Sequence, residues 1–253
     1  MRPRLVTIPF SHYCEKARWA LDRAGIDYVE EPHLPMFAWL PALRTGTRRT
    51  VPVLRTDEEV VTDSHDILVW ADRKEPTLGL YPKDIAQEVA ALEAVFDKKV
   101  GPATRRLAYH VILANRRVAG DLFRREGPML ESLAARALFP LMARMMRRGL
   151  KIDEAGAERS RAQLEPVLDD VDARLSKSGG PWLFGDRFTA ADLTFASLMT
   201  PAVAPDSFAA THFGNALVEF EEARTLVGKF RETPAGRFAL RAYDEERTVR
   251  ISS

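Results

Sequence analysis

The chain has almost no cysteine: Cys14 stands alone among 253 residues. A single thiol cannot close an intramolecular disulfide, which excludes a stapled secreted scaffold and makes a reducing, cytoplasmic setting the expectation. Neither sign of charge is in excess. Lys plus Arg total 37 against 36 for Asp plus Glu, a formal charge of +1, so no overall field draws the chain to nucleic acid or to an anionic membrane. No apolar run reaches the roughly 18 uncharged residues of a membrane span. The basic start "MRPRLVTIPFSHYCEKARW" is interrupted by Pro9 and followed by charges, so it does not read as a signal peptide. His33, His65, His110 and His212 are scattered without metal-ligand spacing, and no metal is expected.

What is present is a 46% hydrophobic composition, ample for a core in one large or two modest domains. The first part of the chain changes period repeatedly. "RLVTI" is a short β-type run; "HYCEKARWALDRAG" then sets Tyr13, Ala17, Ala20, Leu21 and Ala24 at helical spacing and stops at Gly25, a good residue just past a helix end. "IDYVEE" reads as a second strand, and strand–helix–strand order implies a right-handed crossover with the two strands parallel. "MFAWLPALRTGTRR" reads as an irregular or short helical connection, "TVPVLRT" and "EVVTD" as two strands around a turn at "DEE", and "SHDILVWADRK" as an amphipathic helix. Proline and glycine then gather in "EPTLGLYPKD", which marks a linker. The expected organisation is a small α/β domain over residues 1–76, a linker at 77–84 and an all-α domain over 85–253. In that last part the run from Ile85 to Val118 reads as one helical stretch, and the patterns beginning near Gly127, Glu154, Thr189 and Asn215 read as further helices.

Three local motifs carry chemistry or diagnosis. In Val51-Pro52-Val53 a proline interrupts a convincing strand, where it cannot donate to the ladder. Either this is an edge strand, or a cis peptide before Pro52 turns the Val51 backbone toward a peptide-like ligand. Asp63 and Ser64 stand at a strand-to-helix junction, where they are good caps and could also receive a ligand's ammonium and carboxylate. Thr189 and Asp192 in "LFGDRFTAADLTFA" form an N-capping box, a structural feature whose value is diagnostic.

In this order, "SHYCEKARWALDRAGIDYVE", "VPVL", "DSHDILVWAD" and "LFGDRFTAADLTFASLM" resemble the glutathione transferase superfamily. The resemblance implies a thioredoxin-like N-terminal domain followed by an all-α C-terminal domain, with glutathione as co-substrate, a hydrophobic small molecule as second substrate, and a homodimer. It also implies that Pro52 is cis, that Val51 pairs with the cysteinyl backbone of glutathione, and that Asp63 and Ser64 hold its γ-glutamyl end. Arg49 stands where relatives often place a basic residue against the glycine carboxylate. Ser11 falls where serine-type transferases carry their activating hydroxyl and glutaredoxins their cysteine, while His12 replaces the usual proline. Tyr13, Arg106 and Tyr109 are candidates for the border of the electrophile pocket.

A serine hydroxyl at a helix N-terminus can donate to a thiolate that the helix dipole also favours. It cannot form a mixed disulfide, and Cys14, one turn later, is left as a buried small hydrophobe. A catalytically silent binding module on the same fold, or another glutathione-dependent reaction such as isomerisation or dehalogenation, stands beside the transferase reading. Met142, Met145 and Met146, with arginines alongside, read as core packing in preference to a membrane-seeking face.

Overall fold

A computed structural model describes residues 2–45, 50–206 and 221–247. Arg48, Arg49, His212 and the start of the pattern at Asn215 lie outside the described residues.

The N-terminal domain is a four-stranded sheet of order β2-β1-β3-β4. Its strands are β1 (Arg4–Thr7), β2 (Val29–Pro32), β3 (Val53–Arg55) and β4 (Val60–Thr62). β1 and β2 run parallel, as the intervening helix requires, and β1/β3 and β3/β4 are antiparallel. Alternation splits the sheet's two faces: Leu5 and Leu54 enter the main core, while Val6 and Val53 pack with Ala42 on the opposite side. Ala42 belongs to the short helix α2 (Trp39–Arg44). The proline conflict resolves by position, since β3 starts at Val53 and the Val51–Pro52 bond before it is cis.

Helix α1 (His12–Arg23) ends as its glycine suggests, with Gly25 at φ +63. Helix α3 (Ser64–Lys74) lies against it. After a turn of 3-10 helix at Pro76–Leu78 comes α4 (Ala86–Ile112). The long helical stretch expected here is in fact divided, because Asn115 accepts from the amides of Arg117 and Val118 and so caps a new helix, α5 (Arg116–Glu126). The remaining helices are α6 (Met129–Leu150), α7 (Glu154–Ser178), α8 (Ala190–Val203), α9 (Glu221–Glu232) and α10 (Pro234–Glu246). α8 is the central helix and is buried along its whole length. Its start is fastened by the capping box, with the Asp192 carboxylate accepting from the Thr189 amide and hydroxyl at 2.8 and 2.6 Å. The other carboxylate oxygen takes the Leu183 amide at 2.8 Å.

Two polar groups of contacts weld the domains. Lys16 of α1 sits fully buried with its ammonium 2.8 Å from Glu93 and 2.9 Å from Asp97, both on α4. Glu93 also takes a proton donor from His65 at 2.9 Å and from the Tyr81 hydroxyl at 2.6 Å. At the other end of α1, Trp19 stacks near Tyr243 and donates to the Glu246 carbonyl at 3.1 Å, so the C-terminal helix closes over the N-terminal domain. Met142 and Met146 are buried in the α6 packing, while Met145 is partly exposed.

Candidate functional site

The site begins where β1 runs into α1. A tight turn, closed by the Ser11 amide on the Ile8 carbonyl at 3.0 Å, sets Ser11 in an extended conformation as N-cap of the helix. Its hydroxyl oxygen accepts from the Cys14 amide at 3.4 Å. A serine oxygen that accepts one bond still has a proton to donate. Ser11 opens onto a cavity of about 520 Å³ between the domains. One wall is N-terminal, with Phe10, Ser11, Met36, Trp39, Thr50 and Val51; the other is helical, with Arg105 and Tyr109 of α4 and Met145, Met146, Gly149 and Leu150 of α6.

The neighbours of Ser11 are committed elsewhere. His12 is buried, and its Nε2 meets the Gly101 carbonyl oxygen at 2.9 Å. Burial, followed by the nearby positive charge of Arg105, lowers its pKa to about 3, so it is a neutral ring and too weak a base to take a thiol proton. The Tyr13 hydroxyl donates to the Asp97 carbonyl at 2.8 Å, and burial raises its pKa. Cys14 is fully buried, its sulfur accepting from the Ile8 amide at 3.4 Å, and burial pushes the thiol up. A buried protonated thiol is unreactive.

Val51 lines the cavity, and its main-chain amide and carbonyl have no hydrogen-bond partner among the described residues. Asp63 caps α3 through the His65 amide at 3.0 Å and holds φ at +82, a left-handed conformation costly for a non-glycine residue. Its side chain is exposed, and its charge is felt at Tyr13. Ser64 is buried at the first position of the same helix. Pro52, Asp63 and Ser64 are not among the residues that line the cavity, although Pro52 directly follows the lining residue Val51.

Of the three residues expected to border an electrophile pocket, Tyr13 and Tyr109 do line the cavity. The Tyr109 hydroxyl forms no hydrogen bond among the described residues, and burial pushes the phenol up to about 12. Arg106 does not line it. Its guanidinium donates to the Leu150 carbonyl at 3.1 Å and to Ser160 at 2.6 Å, which braces the end of α6 against α7. The cavity's cation is the preceding residue, Arg105, whose place depends on a helix phase that sequence periodicity left one position off. Trp39, not singled out from the sequence, starts the short helix α2 in the connection read as irregular or short helical. Among the described residues no group of three or more His, Cys, Asp or Glu side chains could hold a metal ion, and no helix is long and apolar enough to cross a membrane.

The family description "Glutathione S-transferase, N-terminal domain" matches residues 5–79, and "Glutathione S-transferase, C-terminal domain" matches residues 154–204. The chain belongs to the glutathione S-transferase superfamily. Among solved structures, this superfamily member is similar to glutathione transferase GSTFuA3 from Phanerochaete chrysosporium, at 17% identity and a TM-score of 0.65 over 99% of each chain. It is also similar to glutathione transferase F2 from Populus trichocarpa, at 16% identity and a TM-score of 0.59 over 96% of this chain and 99% of that one. A glutathione S-transferase-I solved with lactoylglutathione bound has 19% identity and a TM-score of 0.53, covering 95% of this chain and 99% of the other. At these identities the likeness is one of fold, a thioredoxin-like domain followed by a helical one. No curated protein matches this superfamily member.

Proposed function

We propose that the protein is a serine-type glutathione transferase that ionises the thiol of glutathione at Ser11 and directs the sulfur onto a hydrophobic electrophile. The observation that carries this reading is a process of commitment at the head of α1. Tyr13 and Cys14 are bonded inward, and His12 is neutral and tied to Gly101, while Ser11 lines the cavity and its hydroxyl donates to no acceptor among the described residues. A thiolate there would accept that proton as a hydrogen bond and feel the positive end of the helix. Lowering an ordinary thiol pKa by two units takes about 3 kcal/mol. One hydrogen bond to a charged group and a helix terminus supply energies of this order.

In the same reading, the main chain of Val51, which has no partner among the described residues and is set by the cis bond to Pro52, pairs with the cysteinyl residue of glutathione in the manner of an added strand. Asp63 and Ser64 receive the γ-glutamyl end, and the strained backbone of Asp63 supports a ligand-holding role for that junction. Arg49 would meet the glycine carboxylate. Phe10, Trp39, Tyr109 and Met145 offer the apolar surface for the second substrate. With an aryl halide, a sulfur lone pair forms the carbon–sulfur bond and the halide leaves with the electron pair of the bond that breaks.

The test is direct. Calorimetry should detect glutathione binding, and difference spectroscopy should detect a thiolate in the complex near neutral pH. In Ser11→Ala the thiolate band should vanish while most of the binding affinity remains. A band that survives in Ser11→Ala would remove Ser11 from the mechanism, and an absence of glutathione binding would leave a binding module on a transferase fold.

A further inference from the structure

We infer that the second substrate carries an anionic group on its apolar body, a carboxylate or sulfonate, and that Arg105 is the residue that selects it. This deepens the transferase reading for turnover, although the binding it requires is independent of glutathione. Among the described residues, Arg105 is the one formally charged side chain in the cavity walls, which are otherwise apolar or neutral. It is half-buried, yet it makes no hydrogen bond or ion pair among the described residues. That sets it apart from the other half-buried arginines. Arg18 holds Glu30, Arg23 holds Glu246, Arg55 holds Glu31 and Arg247 holds Glu15. Arg106 and Arg231 hold backbone carbonyls.

Among the described residues no carboxylate forms an ion pair with Arg105, and Asp97, whose charge is felt at Tyr13 beside that of Arg105, is taken by Lys16. His12 is a neutral ring, made more so by Arg105 itself, and Tyr13 and Tyr109 keep their protons. Arg106, the next residue along α4, is held by the Leu150 carbonyl and Ser160. Water serves the guanidinium while the cavity is open. An apolar compound that fills the cavity expels that water and leaves a cation buried without a partner, which is costly. A compound with a carboxylate restores the lost bonds through a planar two-point contact, and the contact fixes the orientation of the body behind it. Selection therefore acts against neutral electrophiles as much as for anionic ones.

Calorimetry without glutathione, comparing 2-naphthoate with 2-acetylnaphthalene, reads the subsite alone. The wild-type protein should bind the carboxylate at least about tenfold more tightly. The ratio should collapse toward one in Arg105→Gln and be partly kept in Arg105→Lys, with melting temperatures checking that each variant is folded. Equal affinities in the wild type, or a preference that survives in Arg105→Gln, overturns the inference. With glutathione present, kcat/KM for 4-chloro-3-nitrobenzoate over its methyl ester should follow the same ratio. If Arg105→Gln instead raises the pKa of the bound glutathione thiol and slows both substrates alike, Arg105 serves the thiolate and the inference fails. A failure of glutathione to bind would count against the transferase reading while leaving the naphthoate comparison to decide this one.

Discussion

The His12 ring and the Gly101 carbonyl meet across the domain boundary at 2.9 Å. Because the ring is neutral and its partner is an acceptor, the Nε2 nitrogen carries the proton. This contact fixes the first turn of α1, and with it Ser11, to the middle of α4, four residues before Arg105. Gly101 belongs there for a second reason, since its missing side chain leaves room for the Tyr13 phenol.

Burial of His12 makes stability depend on acid. Its pKa falls from 6.5 in the unfolded chain to about 3 in the folded one. Below pH 6.5 the unfolded chain takes a proton that the folded protein refuses, so stability is fully present above that value and is lost as pH falls toward about 3. The loss is about 1.4 kcal/mol per pH unit across that window. His12→Gln keeps a donor for the Gly101 carbonyl and does not titrate. Urea unfolding of the two proteins between pH 7 and pH 4.5 should give a shallower slope for the variant; parallel slopes would mean that the histidine is charged in the native state.

Gly101→Ala should be strongly disfavoured. A Cβ at that position would lie 2.1 Å from the Tyr13 hydroxyl oxygen and 2.5 Å from the adjacent ring carbon. The ring must move, breaking its bond to the Asp97 carbonyl, at a cost of about 1–3 kcal/mol. Chemical denaturation of Gly101→Ala, Tyr13→Ala and the double variant should show a smaller combined loss than the sum of the two, because the obstacle is gone. Strict additivity would contradict this packing.

The Lys16–Glu93 pair should be worth more broken than mutated together. Burial pushes the Glu93 carboxyl up, but hydrogen bonds from His65, Lys16 and Tyr81 outweigh it and hold the group below the usual carboxylate range. Lys16→Met removes the cation and strands the charge, at an expected cost of about 3–5 kcal/mol. Lys16→Met combined with Glu93→Gln should recover a large part of that, measured by thermal or urea unfolding. A double variant less stable than Lys16→Met alone would assign the interface to some other contact.

Features decided within a few residues were legible in the sequence. The capping box needs only Thr189 and Asp192, the stop of α1 needs only Gly25, and the strand–helix–strand order with a parallel pair follows from local period and chain handedness. Ser11 as the start of α1 followed from the same kind of local pattern, whereas its place at a ligand cavity was an implication of the family resemblance. What depends on tertiary placement was not legible. A helix turns by about 100° per residue, so a shift of one position separates Arg105 in the cavity from Arg106 against α7. Lys16 and Glu93 are charged residues within helices, and no local signal marks them as a buried pair until the other domain is laid over them. The break before α5 was hidden because apolar spacing continues through Asn115, and only the cap reveals it.

Gly149 is the quiet member of the helical wall. A side chain grown from it would meet nothing within 4 Å, so the room beside Ser11 has a spare corner that the backbone already tolerates filling. The wall bearing that corner belongs to a different domain from the serine and the cis-proline loop. The shape of the helical wall can therefore drift, one volume increment at a time, while the Ser11 end of the room is left untouched.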